Sequence, residues 1–473
     1  MIRRLHSHIV GNITFPLTNA LYNRRRIRRI CRKMLAVERL PQERLREIQF
    51  ERLKDVLEFA HRYVPFYRRR FSEVGLVPGD IRTLQDFSAI PALTRRELAE
   101  HVSELVDRRQ NNTETALRSR RRGQPIPMAL FRRNRLVRNS TSGSTGVPVI
   151  TLEDGTLSAV SWAAELRCHR WFGVLPGARE WRFSIETNRP EKSRIEVKTR
   201  ELLWNQLTPS VSGLGEDSLR QVLRHLNTFQ PEVLWGGTSW LTPLAELVEK
   251  LGRPLQFVPR LIVTWAEGMT SAEESFLEGT FGCPVTNLYG SREVGHVGAL
   301  CPEGSLHVNQ ESFFLDTGPA YSVQCPGELF VTPLFASPMP LIRYQIGDLA
   351  ELSTDMCSCG RTLEVISRLD GRSTERFTTL AGREISSAFW NNMFAQDPGC
   401  LGVAGFQVVY RPDGGLTFRI ARRESYSART EEFVRDYLKS NLDAGIASDF
   451  EYVNEIFRAA SGKFPLVVDR RGE

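Results

Sequence analysis

The sequence is poor in cysteine and has no long apolar run. It contains 8 cysteines in 473 residues, too few for the disulfide framework of a small secreted domain. No stretch approaches the roughly 20 consecutive apolar residues of a membrane-spanning helix. The basic N-terminus is not followed by the apolar segment and small-residue cleavage site of a secretory signal. We therefore expect a cytoplasmic protein.

Motifs of several common enzyme and binding classes are also missing. There is no serine elbow and no paired-carboxylate motif, and no Gly-Lys-Ser/Thr ending of a P-loop. Neither zinc-finger spacing nor an aromatic RNA-binding signature is present. We expect no nucleic-acid partner.

Positive charge is the main compositional bias, with a net charge of +8. Two arginine-rich runs carry much of it, and such runs are typical of solvated faces and loops. They comprise Arg24, Arg25, Arg26, Arg28, Arg29, Arg32 and Lys33, and then Arg118, Arg120, Arg121 and Arg122. The first run belongs to a basic helical segment over residues 1–40, for which weak contact with an anionic membrane surface stays open.

Strand-like and helix-like patterns alternate from about residue 138 onward, after a predicted helix over 41–63. Such alternation predicts a parallel sheet covered by helices, and hence an α/β protein. The predicted helices of this part span 217–229, 239–251 and 270–280, with apolar strands at 233–235 and 261–263 between them.

The pattern changes past about residue 370. Residues 403–422 read as a hairpin around Pro412-Asp413-Gly414-Gly415, followed by a helix over 427–441 and a strand near 449–454. This predicts a small, separable α+β unit. We therefore expect two domains, over 1–370 and 371–473.

The segment from Ser140 to Pro148 reads Ser-Thr-Ser-Gly-Ser-Thr-Gly-Val-Pro. Glycines let a backbone approach a phosphate closely, and hydroxyls and exposed amides can hold its oxygens. Taken alone, the segment is equally typical of a Ser/Gly-rich linker.

Three further segments favour a nucleotide site. Tyr289-Gly290-Ser291-Arg292-Glu293 closes a predicted strand, where an aromatic ring can stack on a base and Glu293 can hold Mg²⁺. Asp348, in Arg343-Tyr344-Gln345-Ile346-Gly347-Asp348, follows another apolar run, and its carboxylate suits the two hydroxyls of a ribose. Lys463 closes the small domain, although by itself it is typical of an exposed lysine in a chain tail.

In this order, together with Gly371-Arg372, these motifs resemble those of the adenylate-forming superfamily. The stretches LKDVLEFAHRYVPFYRRRF and LVPGDIRTLQDFSAIPALTRREL resemble its phenylacetate–CoA ligase branch, in particular the relatives found with capsular-polysaccharide genes. The similarity covers roughly residues 45–470.

The resemblance implies a large N-terminal adenylation domain with helix-covered sheets, followed by a small mobile α+β lid. It also implies site residues. Those implied for the nucleotide are Ser142, Gly143, Ser144, Thr145 and Gly146 in the phosphate loop, Tyr289 at adenine, Asp348 at ribose, and Glu267, Gly290, Ser291 and Arg343 elsewhere beside the nucleotide. Those implied for catalysis are Glu293 at Mg²⁺, Arg372 at the start of the inter-domain hinge and Lys463 between the carboxylate and the α-phosphate.

The implied reaction is activation of a carboxylic acid by ATP as acyl-AMP with release of pyrophosphate, then transfer to coenzyme A. Three departures keep alternatives open. Pro148-Val149-Ile150 stands where the family often has a lysine, Ser373-Thr374-Glu375 replaces paired hinge aspartates, and the loop after Gly382 lacks the family's proline. The alternatives are transfer to an amine, a sugar or a carrier protein, and a nucleotide-binding relative without turnover.

The acid is weakly specified by the sequence. Four rings, Trp235, Trp240, Trp265 and Phe281, lie in segments where the family builds its acyl pocket, which favours an aromatic or bulky apolar acid. Equally, they are typical of a core. If the rings do line an acyl pocket, Gly236 and Gly237 leave room for a substrate ring. The oligomeric state is not specified by the sequence, and a homodimer is left open.

Cys301, His307, Cys357 and Cys359 form a candidate zinc site. Thiolate and imidazole are the preferred ligands of zinc, and four of them make a structural site. Cys-x-Cys is tighter than the usual spacing, so unligated thiols are the alternative. Asp355 or Glu303 could replace one ligand. Some members of the family carry a similar set.

Overall fold

The computed structural model describes residues 2–21, 26–110, 113, 136–140, 149–183, 201–209, 215–252, 255–265, 268–322, 325–373, 377–379, 382, 384–397, 402–423, 426–442, 446–454, 456 and 466–470. No helix within these ranges is both long enough and apolar enough to cross a membrane.

The helices precede, cover and follow a large sheet. They are α1 (Ile2–Ile9), which continues through a π-helical turn (Val10–Thr14) into α2 (Phe15–Leu21), then α3 (Ile27–Val37), α4 (Gln42–Tyr63), α5 (Pro65–Glu73), α6 (Arg95–Glu100), α7 (Thr156–Trp171), α8 (Glu216–Phe229), α9 (Thr238–Lys250), α10 (Ser271–Phe281), α11 (Ser387–Gln396) and α12 (Arg429–Asn441). Short 3₁₀ turns lie at Pro78–Asp80 and Asp86–Ala89.

In the described part of the chain, the strands fall into one large sheet and three smaller ones. They are β1 (Val137–Ser140), β2 (Ile150–Glu153), β3 (Glu180–Arg182), β4 (Gln206–Leu207), β5 (Val233–Trp235), β6 (Leu261–Trp265), β7 (Val285–Ser291), β8 (Gly295–Leu300), β9 (Leu306–Val308), β10 (Phe313–Thr317), β11 (Glu328–Pro333), β12 (Tyr344–Ser353), β13 (Val365–Arg372), β14 (Phe377–Thr378), β15 (Glu384–Ile385), β16 (Val403–Tyr410), β17 (Leu416–Arg422), β18 (Ser448–Val453) and β19 (Val467–Asp469).

The helix predicted over 41–63 is confirmed as α4. It begins after Pro41 and ends before Pro65, which opens α5 at its first position. Proline fits the first position of a helix, but further along it removes a backbone hydrogen bond, so Pro65 favours the start of a new helix here. The buried face of α4 carries Leu45, Leu53, Val56, Leu57 and Ala60.

The eleven-stranded sheet has the order β10-β11-β12-β13-β9-β8-β7-β6-β5-β3-β4 among the described residues. From β4 to β7 neighbouring strands are parallel, with α8, α9 and α10 in the connections. Strands β5 and β6 are almost wholly buried apolar runs, as expected where helices cover both faces.

The sheet is mixed rather than purely parallel. From β7 to β10 every neighbouring pair is antiparallel. A parallel pair needs a crossover of a dozen or more residues, and β7 and β8 are joined by a short turn at 292–294. The α/β class predicted from the sequence is confirmed, and its parallel part ends where the helical connections end.

The C-terminal residues form their own core. The predicted hairpin is confirmed as β16 and β17, which pair antiparallel from Val403 to Arg422. With β18 and β19 they make a four-stranded sheet of order β18-β17-β16-β19, and α11 and α12 pack on it. All described residues of this hydrophobic cluster lie at or after Ile385. The exact domain boundary at 370/371 stays a prediction.

A buried ion pair joins α7 to the large sheet. Arg167, which has no exposed surface, donates from Nη1 to Glu311 Oε2 at 3.0 Å and from Nη2 to Asn309. Glu311 is 2% exposed. A buried cation without its partner carries the full cost of its desolvation.

We therefore expect Glu311→Ala to destabilise the protein by about 3–5 kcal/mol. Urea unfolding measures this change. The matched control is Glu100→Ala, which removes a solvent-exposed pair with Arg96 in α6 and is expected to cost at most about 0.5 kcal/mol. Equal effects of the two substitutions would show that the buried pair does not hold α7.

Candidate active site

Four parallel strands end at one edge of the large sheet. The last residues of β3, β5, β6 and β7 are Arg182, Trp235, Trp265 and Ser291. In open α/β sheets, ligands bind in the crevice outside the carboxyl ends of the strands. The predicted site residues on β7 and β12 can be placed against this edge.

Tyr289 and Asp348 meet directly, although 58 residues separate them. The Tyr289 hydroxyl donates to Asp348 Oδ2 at 2.7 Å, and both residues are buried. Burial and the neighbouring carboxylate raise the pKa of Tyr289 well above its ordinary value of 10.0, so the phenol keeps its proton. Asp348 is thereby held in one orientation.

Arg372 supplies the counter-charge for Asp348. The ladder of β12 and β13 sets Arg372 opposite Asp348. Its Nε lies 3.3 Å from Asp348 Oδ1, and its Nη1 donates to the Ile346 carbonyl at 3.0 Å. The residue predicted at the start of the hinge therefore contacts the residue predicted at the ribose.

Glu293 is buried and paired with Arg95, a residue outside the predicted motifs. Arg95 Nη1 lies 3.1 Å from Glu293 Oε1, and the Glu293 side chain is only 5% exposed. Burial, followed by the charge of Glu293, raises the pKa of Tyr344, the first residue of β12. Glu293 therefore lies beside β12, the strand that carries Asp348, so both predicted carboxylates lie in the same region of the protein.

Two contacts of its neighbours place Arg95, one long-range and one local. Leu93 bridges to Tyr344 at the start of β12. Thr94 then caps α6: its Oγ1 accepts from the Glu97 backbone, and Glu97 Oε2 accepts from the Thr94 backbone at 2.9 Å. This Thr-x-x-Glu capping box is readable from the sequence, and it predicts the start of α6. That Arg95 meets Glu293 is not readable, because the two are 198 residues apart.

Gly290 allows the turn from β7 into β8. A Cβ atom there would lie 2.0 Å from the Gly295 carbonyl oxygen, so any side chain would break the close approach of the strands. The pairing shifts register between Tyr289 and Gly290. Ser291, predicted at the nucleotide, accepts from the Glu293 backbone at 3.3 Å and thus shapes the same turn.

A charged network lies at the same edge, beneath α7. Arg182 donates to Glu165 at 2.8 Å and lies 2.8 Å from Glu180, and its guanidinium carbon is 4.0 Å from the Trp235 ring centroid. His296 Nε2 lies 3.1 Å from Glu165. Since β8 pairs His296 with Gly290, this network adjoins the Tyr289 segment.

The charge of Glu165 depends on its two partners. Burial opposes ionisation, but Arg182 and the hydrogen-bonded His296 lower the pKa of Glu165 to about 2. This network is not predictable from the sequence, because nothing in the local pattern of α7 separates an inward-facing glutamate from a solvated one.

Arg343 does not join the other predicted nucleotide residues. Its guanidinium lies 2.8 Å from Asp316 and donates to the carbonyls of Ser88 and Ile90, each at 2.6 Å. It holds the segment before α6, rather than facing Asp348. Its positive φ of 47° turns the chain into β12.

The rings expected around the acid have different surroundings. Trp235 and Trp265 end β5 and β6 at the site edge, whereas Phe281 lies in the core between α9, α10 and the sheet. A Cβ atom on Gly236 would lie 3.1 Å from the Phe183 ring. The space beside Gly236 is therefore filled by Phe183, and the expectation of room for a substrate ring there is not met.

The four predicted zinc ligands converge. The ligand atoms of Cys301, His307, Cys357 and Cys359 all lie within 4.8 Å of one another. The sulfurs of Cys301 and Cys357 are 3.8 Å apart, and two sulfurs on one tetrahedral zinc would be roughly 3.8 Å apart. His307 Nε2 is 3.2 Å from the sulfur of Cys359.

The second nitrogen of His307 has a partner of its own. His307 Nδ1 is 3.1 Å from the Leu363 carbonyl oxygen. This contact assigns the ring proton to Nδ1 and leaves the Nε2 lone pair towards the sulfurs, as in metal-bound histidines. The donor set therefore fits zinc.

Several predicted site residues lie outside the described residues. They are Ser142, Gly143, Ser144, Thr145 and Gly146 of the phosphate loop, Glu267, and Lys463. Their roles stay predictions.

The fold is that of the adenylate-forming acid–CoA ligases. A solved structure of 2-hydroxyisobutyryl-CoA ligase in the postadenylation state, with an acyl-AMP bound, superposes with a TM-score of 0.69 over 92% of this chain and 91% of that one. At 18% identity this likeness establishes the fold.

Sequence relatives establish the family. A phenylacetate-coenzyme A ligase of Thermus thermophilus is 30% identical over 398 residues, covering 80% of this chain and 81% of the relative. Protein CapK of Staphylococcus aureus is 25% identical over 338 residues, covering 70% and 68%. No protein-family model matches the chain. The chain belongs to the phenylacetate–CoA ligase family and is an AMP-forming acid–thiol ligase.

The low pKa of Glu165 makes a prediction about stability and pH. Since its folded pKa of about 2 lies below the ordinary 4.5, the ionised network contributes stability above about pH 4.5, and this contribution is lost as the pH falls towards 2. Its size is roughly 3 kcal/mol. We expect Glu165→Gln to be less stable than the parent protein at neutral pH, and the gap to shrink in acid.

Urea unfolding of both proteins across this pH range measures the gap. Glu47→Gln is the control, because Glu47 is exposed and paired only with Arg44 in solvent. A gap of constant size from neutral pH to pH 3 would contradict the proposed contribution of the charge.

Proposed function

We propose that the edge around Tyr289, Glu293 and Asp348 binds ATP and joins a carboxylic acid to AMP, before coenzyme A takes the acyl group. The observation that carries this proposal is the convergence of two buried carboxylates, each with its own arginine, at the carboxyl edge of the sheet. Membership of the phenylacetate–CoA ligase family supports it.

Asp348 is proposed to receive the ribose hydroxyls. Its carboxylate is oriented by Tyr289 and Arg372, so hydroxyl binding needs little rearrangement of the protein. A pre-oriented acceptor binds a ligand at a smaller entropic cost than a mobile one. The Tyr289 ring, whose hydroxyl is already engaged, is proposed to contact adenine.

Glu293 is proposed to hold Mg²⁺, which would neutralise phosphate charge during the reaction. Without the cation, Arg95 compensates the buried carboxylate. A cation on Glu293 would release the Arg95 guanidinium for a phosphate oxygen, so the pair can keep the charge of the site balanced. We propose Arg95 as a further phosphate-binding residue.

The remaining roles follow from the family. Residues Ser142–Gly146 are proposed to enclose the phosphates, Glu267 to lie beside the nucleotide and Lys463 to approach the α-phosphate. A carboxylate oxygen of the acid attacks the α-phosphorus, and the bond to pyrophosphate breaks. The sulfur of coenzyme A then attacks the acyl carbon, its proton is lost to solvent, and AMP leaves. Both steps bring anions together, so cationic side chains are the main requirement.

The acid is proposed to carry an aromatic or bulky apolar tail, with a polar group in or beside it. Trp235 and Trp265 at the strand ends offer apolar surface. Arg182 and His296 keep side-chain exposures of 19% and 22%, so both can reach a ligand. Coenzyme A is the proposed acceptor and, since ATP and coenzyme A are cytoplasmic metabolites, we place the reaction in the cytoplasm.

We expect Lys463→Ala to abolish acid-dependent release of pyrophosphate and to leave ATP affinity within about threefold, because the lysine acts on the transition state rather than on bound nucleotide. The assay screens aromatic, fatty and amino acids, each with and without coenzyme A. Lys439→Ala, an exposed lysine on α12, is the control.

Unchanged turnover of Lys463→Ala would contradict the mechanism. Acyl-CoA detected by mass spectrometry would establish the acceptor. If pyrophosphate is released in the presence of the acid, but a product forms with an amine or a sugar and no thioester forms, then coenzyme A is not the acceptor. The proposed adenylation step would still hold in that case.

We propose a structural zinc ion on Cys301, His307, Cys357 and Cys359. Cys301 follows β8, and Cys357 and Cys359 lie in the loop between β12 and β13. The ion would tie the hairpin after Glu293 to the strand after Asp348, and so steady both carboxylates.

Elemental analysis is expected to find about one zinc per chain. Cys359→Ser should lose the metal and lower the unfolding temperature, because three ligands hold zinc less tightly than four. Cys283→Ser, at a buried thiol outside the cluster, should keep it. A metal-free parent protein, or full zinc content in Cys359→Ser, would reject the site.

A further inference from the structure

The N-terminal helical segment, residues 2–21, packs on the protein through a face that carries Val10 and Phe15, both buried, among small and polar residues. Gly11 lies so close to Gly177 that a Cβ atom on Gly177 would be 2.5 Å from the Gly11 nitrogen. Thr14 Oγ1 donates to the Leu203 carbonyl at 2.7 Å, Trp204 Nε1 donates to Thr18 at 2.7 Å, and Asn205 donates to Ser7 at 3.2 Å. These contacts fix which side of the helix faces the protein.

The opposite side carries the large aliphatic residues. Leu5, Ile9, Ile13 and Leu17 recur at intervals of four and are exposed by 59%, 38%, 53% and 61%. They form an aliphatic stripe roughly 18 Å long. A surface helix normally turns its apolar side to the core and its polar side to solvent. Here a second apolar side, opposite the buried Val10 and Phe15, faces solvent, which indicates that the aliphatic stripe is covered by something outside the chain.

Two more exposed leucines lie in the segments that hold this helix. Leu202, 64% exposed, accepts from His6 through its carbonyl oxygen at 3.3 Å. Leu175, 57% exposed, precedes Pro176, whose carbonyl oxygen abuts Gly11. Exposed aliphatic side chains therefore cluster at this end of the molecule.

The charge of the same segment identifies its partner. Residues 1–37, which comprise this segment and the chain that follows it through α3, contain nine arginines and lysines and no acidic residue, a charge of +9 against +8 for the whole chain. Arg28 on α3 hydrogen-bonds to Gly11 and, at 3.2 Å, to Asn12, which brings α3 beside the stripe. The other cations of α3 are exposed: Arg29, Arg32 and Lys33.

We propose that the aliphatic stripe and the cations of α3 dock the protein on an anionic phospholipid surface. An interfacial helix inserts aliphatic side chains between headgroups, while nearby lysines and arginines meet the lipid phosphates. A second copy of the chain fits less well: a two-fold contact through this face would bring the two cationic segments together. The inference is independent of the ligase chemistry.

Vesicle co-sedimentation of the full chain tests the proposal. The protein is expected to bind vesicles of phosphatidylcholine mixed with phosphatidylglycerol, to bind phosphatidylcholine alone at least tenfold more weakly, and to be released by salt, because each cation near an anionic surface adds about fivefold to binding.

Two sets of substitutions separate the stripe from the charge. Ile9→Ser/Ile13→Ser/Leu17→Ser should lower binding to the anionic vesicles by more than tenfold, and Arg29→Gln/Arg32→Gln/Lys33→Gln should lower it and weaken its salt dependence. Val74→Ser/Val77→Ser, at exposed aliphatic residues elsewhere, should bind as the parent protein does. Unchanged unfolding temperatures would show that all three variants fold.

Absence of binding by the parent protein, or undiminished binding by the triple serine variant, would overturn the proposal. Analytical ultracentrifugation adds a separate test. A parent dimer that dissociates in the triple serine variant would assign the stripe to a second copy instead. A sedimentation coefficient that is equal in the two proteins would support the lipid surface.

Discussion

Compensation of two buried carboxylates is the constraint on which the site depends. The roles proposed for Asp348 and Glu293 at a sugar and a cation require carboxylates, yet each residue is less than a tenth exposed. A buried charge without a partner would cost several kcal/mol. The chain meets this requirement with Arg372 and the Tyr289 hydroxyl for Asp348, and with Arg95 for Glu293.

The antiparallel half of the large sheet contributes to the pairing of both carboxylates. Strand β13 brings Arg372 opposite Asp348 through the ladder register. The bridge from Leu93 to the start of β12 brings α6, and with it Arg95, to Glu293. The Cys/His cluster joins the end of β8, strand β9 and the β12–β13 loop. The antiparallel strands thus position the charges on which the parallel edge relies.

The N-terminal helical segment also contacts α7, which carries part of the charged network. Phe15 lies 5.7 Å from the ring of Trp162 on α7, and Glu165, three residues further along that helix, holds Arg182 and His296. The helix that carries the aliphatic stripe therefore rests on the element that closes the charged network of the site. A surface that held this segment would lie on the α7 side of the sheet.

The sequence determined the features that depend on neighbouring residues or on residue type. Helix α4, the hairpin of β16 and β17, the α/β class and the zinc-type ligand set follow from periodicity, turn residues and ligand chemistry. Contacts between distant segments needed the tertiary structure: Arg95 at Glu293, Arg343 at Asp316 and Phe183 beside Gly236. An isolated arginine has the same local pattern whether it meets a catalytic carboxylate, a structural one or solvent, and only the register of distant strands decides which.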